Sequence, residues 1–427
     1  MIDIKSLYNY FLQSSGICTD TRKVLPGNLF VSLKGPNFNG NHFAPTALEV
    51  GASYVVVDEP EFVANDRCIL VKDGLQTLQQ LAQYHRSLLQ IPVIAVTGSN
   101  GKTTTKELIN VVLSQKYQVF CTHGNLNNHI GVPLSLLSIN TQHQMAVIEM
   151  GANHLQELAL LCQIAQPTHG IVTNIGYDHL EGYGSIENVA KGNAELYQYL
   201  HQTGGTAFVN ASDNMLIQML PQGLQHIYYG NGTNYDTIIH GHDIFLVIKT
   251  PDNKTIKTNL TGTYNIDNMN AAWCIGYTMG ADIDNIFYAM ANYTPTNNRS
   301  QIIIKGTNKI ILDCYNANPS SMIKAIDSIN SVLHPHKALI LGDMYELGEY
   351  SQEAHLHILQ HILKYNFKQI ILLGDNFFAH KTSFSAFHFF QDKEKLISYL
   401  NNCHIQDTLL LLKGSRGMAM ETLSEYI

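Results

Sequence analysis

The sequence predicts an α/β protein of three domains: a small N-terminal domain, a central domain built on a mainly parallel sheet with a phosphate loop, and a C-terminal Rossmann-like domain. Three observations predict this. The length, 427 residues, suits two or three domains. From Ile91 onward, short β-rich runs end in polar residues and alternate with helical patterns. One of those strand ends carries the loop GSNGKT.

The first domain is expected over residues 1–83. Strand-like runs at Asn28–Leu33, Tyr54–Asp58 and Cys68–Val71 are separated by turn-rich segments. Gly74–Leu89 reads as a helix leading onward, with Leu75, Leu78, Leu81 and Leu88 at helical spacing. The second domain is expected over 84–296. Val93–Val96 precedes a helix from Lys102, Met145–Ile148 one from about Leu155, and Gly170–Asn174 one from about Ser185. This alternation implies parallel strands with helices on both faces. Residues 206–261 read as irregular and strand-rich, and Thr294–Arg299 as a linker. The third domain is expected over 297–427, with apolar strands at Lys309–Asp313, Ala338–Gly342, Gln369–Gly374 and Thr408–Lys413.

Composition narrows the function classes. A formal charge of -8 and a pI near 6.2 argue against a nucleic-acid binder, which usually presents a basic field. No run is long and apolar enough for a membrane span, and the N-terminus lacks the pattern of a secretory signal. The seven cysteines are scattered, with no CxxC pair, as in a reduced cytoplasmic protein. A monomer is expected.

The strongest local signal is VIAVTGSNGKTTTKELI, Val93–Ile109. A buried strand runs into Gly98, Ser99, Asn100, Gly101, Lys102, Thr103 and Thr104, then a helix. Glycines let the backbone curl its N–H groups toward phosphate oxygens. Lys102 sets a positive charge beside the β- and γ-phosphates, and the Thr103 hydroxyl suits Mg²⁺. Only two residues separate Gly98 from Gly101-Lys102, against four in the general motif. Glu149 ends the next strand and reads as a second Mg²⁺ anchor. His179 lies just past a third strand end, with Asp178 and Glu181 beside it. Taken singly it reads as structural; with the other two strand ends it becomes a candidate metal ligand.

Together TGSNGKTTTKE (97–107), GNLNNHIGVPLSLL (124–137), EMGAN (149–153), TNIGYDHLEGYGS (173–185), GTYNIDNMNAA (262–272), LDCYNANPSSM (312–322), GDMYELG (342–348) and LKGSR (412–416) resemble the Mur ligase family, in order and over nearly the whole chain. YNANPSSM and GDMYELG look like the member that adds D-alanyl-D-alanine to UDP-N-acetylmuramoyl-tripeptide, in the synthesis of peptidoglycan precursors. The resemblance implies an ATP-dependent ligase with Mg²⁺ that makes an acyl phosphate.

By resemblance, TDTRKVLPGNLFVSLKG is similar to the family's UDP-sugar module. Asp20, Thr21 and Arg22 would face the nucleotide-sugar, and Asn39, Gly40 and His42 would line the same pocket. Read alone, the DTR triplet is a turn with a solvated ion pair. Asn125 and Asn128 would orient the muramoyl-peptide. Asn265 and Asn268 would read adenine, since amides both donate and accept; the family usually has His before the first of these, where this chain has Tyr264. Arg299 and Asp313 would bind γ-phosphate and ribose. Asn316, Asn318 and Ser320 would help form the dipeptide pocket. Lys413 and Arg416 carry two readings equally, the dipeptide carboxylate or a solvated basic turn.

One departure concerns the second metal. Most members carry a lysine after the histidine that CO₂ converts to a carbamate ligand. Here the position is Asn193, which cannot form one. Lys191 is two residues away, about 200° round a helix, so it is a poor substitute. An uncarbamylated site is expected, in which His179 and substrate oxygens hold the second metal and a bound anion such as chloride, or Glu195, supplies charge. Asn193 also motivates a competing reading, a non-catalytic nucleotide-binding relative. The phosphate loop by itself would also fit a P-loop motor or switch, and the family pattern another Mur-type amide ligase. His355, His357 and His361 read as a solvated helix face, and Trp273 as core.

Overall fold

The computed structural model describes residues 2–427. Each domain is built round its own sheet. The first has four parallel strands in the order Ile17–Cys18, Leu29–Val31, Tyr54–Val57, Cys68–Leu70. The second has six parallel strands: Gln225–Tyr229, Thr206–Asn210, His169–Val172, Val93–Thr97, Met145–Glu149, Val119–Cys121. The third also has six. Gln301–Lys305 runs antiparallel to Asn308–Asp313, followed by Leu409–Lys413, Lys337–Gly342, Gln369–Leu373 and His388–Phe390, all parallel.

The strand-rich region 206–261 resolves into two parts. Two of its strands extend the central sheet, and Ile238–His242, Leu246–Lys249 and Thr255–Lys257 make a separate antiparallel sheet. Thr294–Arg299 carries no helix or strand. Asn297 and Asn298 there take left-handed backbone angles, which asparagine tolerates better than most residues, and Ser300 just beyond takes one too.

Both faces of the central sheet are covered, as its β-branched strands require. Val93 and Ala95 face one core, and Ile94 and Val96 the other. The first of these cores does not stop at the second domain. It runs through Leu78, Leu81 and Ala82 of the helix Gly74–Leu88 to Leu29 and Val31 of the first sheet. The expected boundary at 83/84 thus falls inside this helix. Its buried Arg86 donates to the carbonyls of Ala165 (2.9 Å) and Gln166 (2.9 Å). His85 beside it accepts from the Tyr8 hydroxyl at Nδ1 (2.9 Å) and donates from Nε2 to the Ile139 carbonyl (2.9 Å). Among the described residues, no helix is long and apolar enough to cross a membrane.

Two expectations about side chains change here. His355 is buried, accepting from the Met344 N–H at Nε2 (3.0 Å) and donating from Nδ1 to the Ser351 carbonyl (2.7 Å). His361 is buried against Asp327, so only His357 lies on a solvated face. Helical spacing alone cannot rank faces when polar partners await a histidine inside. Trp273 is core, as expected.

Candidate active site

The central strand order puts the ends of Val93–Thr97, Met145–Glu149 and His169–Val172 side by side. Ligands of open parallel sheets bind at such carboxyl ends, where neighbouring connections diverge. The loop after Val93–Thr97 depends on two glycines. Gly98 has φ +121°, and a Cβ there would sit 2.7 Å from the Thr173 nitrogen. Gly101 has φ +82°, and a Cβ there would sit 2.8 Å from Asn268 Oδ1. Gly101 is also the cap of the helix Lys102–Leu113 and has no side chain to bond its first turn. Those N–H groups, with the helix dipole behind them, remain for an anion. Lys102 Nζ folds back onto the Gly98 and Ser99 carbonyls.

The neighbouring strand end braces this loop. Thr173 donates to the Asn100 carbonyl (2.7 Å), as does Asn174 Nδ2 (2.8 Å). The Ser99 hydroxyl donates to Asp178 Oδ1 (2.6 Å) and accepts from the Gly176 N–H (2.8 Å).

Glu149 is buried at the end of its strand. The Thr103 hydroxyl donates to its Oε2 (2.9 Å), which joins the two expected Mg²⁺ anchors. Two partners carry no clear mark in the sequence. Asn127 Nδ2 donates to Glu149 Oε1 (2.8 Å), and the ammonium of Lys106 lies 3.8 Å from Oε2 while donating to the Thr122 carbonyl. Lys106 is only 3% exposed. The signal for it was its place three residues after Thr103, which puts both on one helix face. Asn125 and Asn128, expected to orient substrate, are exposed, and Asn128 Oδ1 accepts from the Ile130 and Gly131 N–H groups at the start of Gly131–Leu137.

His179 has a left-handed backbone (φ +48°), and its Nδ1 lies 2.6 Å from Glu346 Oε2 of the third domain. Hydrogen bonding from His179 holds the Glu346 carboxyl below its usual range. Asn193 is buried below the loop strand. Its Oδ1 accepts from the Thr97 hydroxyl (3.3 Å) and its Nδ2 donates to the Val189 carbonyl (2.9 Å). Lys191 is exposed on another face. Glu195 does not supply the missing charge: its carboxylate accepts from the Gln156 (2.7 Å) and Ala159 (2.8 Å) N–H groups and so caps the helix Glu157–Ala165.

Asn265 and Asn268 do not present free amides. Asn265 Nδ2 donates to the Thr261 carbonyl (2.6 Å), Asn268 Nδ2 to Asn265 Oδ1 (2.8 Å), and Thr105 to Asn268 Oδ1 (3.0 Å). They form a polar buttress behind Gly101. Tyr264 reaches the third domain, its hydroxyl 2.8 Å from Ser300 Oγ.

In the third domain, Lys413 is neither solvated nor free. It is buried, donating to Asp313 Oδ2 (2.6 Å) and the Asn316 carbonyl (3.1 Å). Asp313 also accepts from the Ser300 N–H (3.2 Å). Arg299 stacks its guanidinium 3.6 Å above the Tyr315 ring, with a buried Nε that has no partner among the described residues. Arg416 is exposed and pairs with Glu421 (2.8 Å). Asn318 and Ser320 meet the phosphate loop: Asn318 Nδ2 donates to Asn100 Oδ1 (2.9 Å), and Asn100 Nδ2 to Ser320 Oγ (2.9 Å). Asn316 is exposed and its Oδ1 accepts from the Ala317 N–H (2.9 Å).

In the first domain, Asp20 caps the turn Thr21–Lys23 and pairs with a solvated Arg22 (2.8 Å), which holds the carboxyl at about 2. Asn39 caps the turn Gly40–Phe43 and donates to Glu59 (2.9 Å); His42 sets its ring edge-on to Phe62. Asn41, not singled out from sequence, is buried and donates to Asp58 (2.7 Å).

Three family models match the chain in order. They are described as Mur ligase family, catalytic domain, over residues 13–86; Mur ligase middle domain, over 96–276; and Mur ligase, glutamate ligase domain, over 298–416. A UDP-N-acetylmuramoyl-tripeptide--D-alanyl-D-alanine ligase of Escherichia coli K12 is 34% identical over 417 residues, covering 95% of this chain and 92% of the relative. MurF from Acinetobacter baumannii matches in structure with a TM-score of 0.88 at 28% identity, covering 99% of this chain and 97% of that one. MurF ligase from Thermotoga maritima in complex with ADP matches at 0.84 and 26% identity, covering 97% of each.

Proposed function

The chain belongs to the Mur ligase family, and on that premise we propose that it joins D-alanyl-D-alanine to UDP-N-acetylmuramoyl-tripeptide with ATP. The product is the pentapeptide precursor of peptidoglycan. The observation that carries this reading is the meeting of Lys102, Thr103 and Glu149 at adjacent parallel strand ends, within a chain matched over all three domains. Phosphate release tests it. Release should require both UDP-N-acetylmuramoyl-tripeptide and D-alanyl-D-alanine; release indifferent to either substrate would sink the reading.

A carboxylate is a poor electrophile, and transfer of the γ-phosphoryl group gives it a leaving group. The amine of D-alanyl-D-alanine attacks the acyl phosphate, a tetrahedral intermediate forms, and phosphate leaves. The protein's part is positioning and charge neutralisation. Lys102 and the uncapped N–H groups after Gly101 hold the phosphates. Thr103 and Glu149 would hold Mg²⁺; one hydroxyl and one carboxylate are a hard oxygen set that suits an ion which keeps its waters and phosphate oxygens. When bound, the ion neutralises phosphate charge. Lys106 and Asn127 fix the carboxylate that would receive it. His179 would hold a second ion, with Asn193 a neutral support beneath.

The remaining assignments rest on the family resemblance together with the contacts described above. Asp20, Thr21, Arg22, Asn39, Gly40 and His42 serve the UDP-sugar end, and Asn125 the muramoyl-peptide. Arg299 and the exposed Arg416, both near the Tyr315 ring, serve anionic groups of the substrates. Lys413 serves Asp313 rather than a ligand. Asn265 and Asn268 act on the nucleotide through the loop they support. Residues 1–83, 84–296 and 297–427 are the divisions we assign, with Gly74–Leu88 shared by the first two, in a protein that acts as a monomer. The reading of a non-catalytic relative finds no support in the loop, whose functional side chains are all present.

A further inference from the structure

The third domain touches the central site at His179. Resting on the function proposed above, we propose that Glu346 is a positioning residue of the reaction: its carboxylate takes the Nδ1 proton of His179 as a hydrogen bond and so leaves Nε2, with its lone pair, as the working nitrogen. Histidines that bind metals or phosphates commonly have their second ring nitrogen fixed this way, and the hydrogen bond sets the tautomer. Here the carboxylate arrives from another domain.

Four observations support the assignment. The Nδ1 to Oε2 distance is 2.6 Å, in the short range of charge-assisted bonds. Both residues hold left-handed backbone angles, φ +48° at His179 and φ +63° at Glu346, a cost kept where the surroundings dictate it and concentrated at working sites. The contact is reinforced on either side: the Glu181 N–H donates to the Glu346 carbonyl (3.3 Å), and the Tyr350 hydroxyl to the Gly184 carbonyl (3.4 Å). Two other nearby acids are engaged elsewhere, Asp178 with Ser99 and Glu195 with the cap of Glu157–Ala165. An ordinary exposed ion pair would need neither the twin backbone strain nor the flanking bonds, and its removal would leave kinetics unchanged.

The test uses the full-length chain with Glu346→Ala and Glu346→Gln. Long-range ¹⁵N–¹H spectra of the imidazoles, with the His179 signals identified by their loss in His179→Gln, report the tautomer without any ligand. The expected result is an Nδ1–H tautomer in the parent and in Glu346→Gln, whose amide oxygen still accepts, and its loss in Glu346→Ala. Alongside, kcat should fall at least about 30-fold in Glu346→Ala, with KM for ATP within about twofold, and recover in large part in Glu346→Gln. An unchanged tautomer, or an unchanged kcat, overturns the proposal. A parent protein that releases no phosphate with both substrates overturns the ligase reading instead, and the spectra still decide the pairing.

Discussion

Asn100 of the phosphate loop and Asn318 at the start of the helix Pro319–Ser331 are joined by an amide hydrogen bond of 2.9 Å. Asn318 is also that helix's cap, its Oδ1 accepting from the Ser321 N–H (2.8 Å) in a reciprocal capping box. One side chain therefore ties the nucleotide loop to the first turn of a helix in another domain.

Asn318→Ala should lose the cap, worth about 1 kcal/mol, and the contact with Asn100. In a double-mutant cycle with Asn100→Ala, the two changes should couple by about 0.5–1.5 kcal/mol in kcat/KM for ATP. Strict additivity would mean that the bond seen here has no bearing on nucleotide use.

Lys106 and Glu149 form a buried pair, 3% and 2% exposed. Lys106→Met leaves a buried carboxylate without its cation and should destabilise the protein by about 3 kcal/mol. Glu149→Gln in the same chain should restore most of that, because the uncompensated charge is then gone. Urea denaturation of the single and double variants measures both steps. A double variant no more stable than Lys106→Met would refute the pairing.

His85 gives a pH dependence with a definite sign. Burial pushes its pKa below the usual 6.5, only partly opposed by its bond to the Ile139 carbonyl. The unfolded chain therefore takes up the proton first, and stability must fall as pH drops below about 6.5, levelling off below the depressed folded value. At pH 5.5 the contribution is at most about 1.4 kcal/mol. His85→Gln should flatten this part of the urea midpoint profile between pH 7.5 and 5.5. An identical slope in parent and variant would show that folding leaves the His85 pKa where it stands in the unfolded chain.

Asn193 and the outward-facing Lys191 imply a site without a carbamate. Lys191→Ala should keep activity within about twofold, and removal of CO₂ and bicarbonate should have no effect. Intact mass measurement should find no added 44 Da on Lys191 (the mass of CO₂ taken up by any lysine that forms a carbamate). A Lys191→Ala variant that is inactive until a short carboxylic acid is supplied would count decisively against this.

The central domain was legible because its strands are buried on both faces and so read as unbroken apolar runs, Val93–Val96 being the clearest. Edge strands were not. Gln301–Lys305 and His388–Phe390 are partly exposed, and their apolar runs, Ile302–Ile304 and Phe389–Phe390, are too short to mark them as strands. Loops carry no period, so GNLNNHIG could not say which asparagine points inward; it is Asn127. Lys413 shows a different limit. It ends an apolar strand, where a basic residue suggests solvent, yet its partner Asp313 is its register mate on the neighbouring strand, known only once the sheet order is known.

The helix Gly74–Leu88 has a consequence for how the chain is made. Leu78, Leu81 and Ala82 share a core with Leu158, Leu161 and Ala165, far downstream in the sequence. A nascent chain that has emerged only as far as Leu88 has all four strands of its first sheet, with Leu7, Phe11, Leu29 and Val31 to cover part of that ridge, but lacks the part that Leu158, Leu161 and Ala165 cover. During synthesis the N-terminal segment is therefore a natural client for a holding chaperone, until the helix Glu157–Ala165 leaves the ribosome and closes over it.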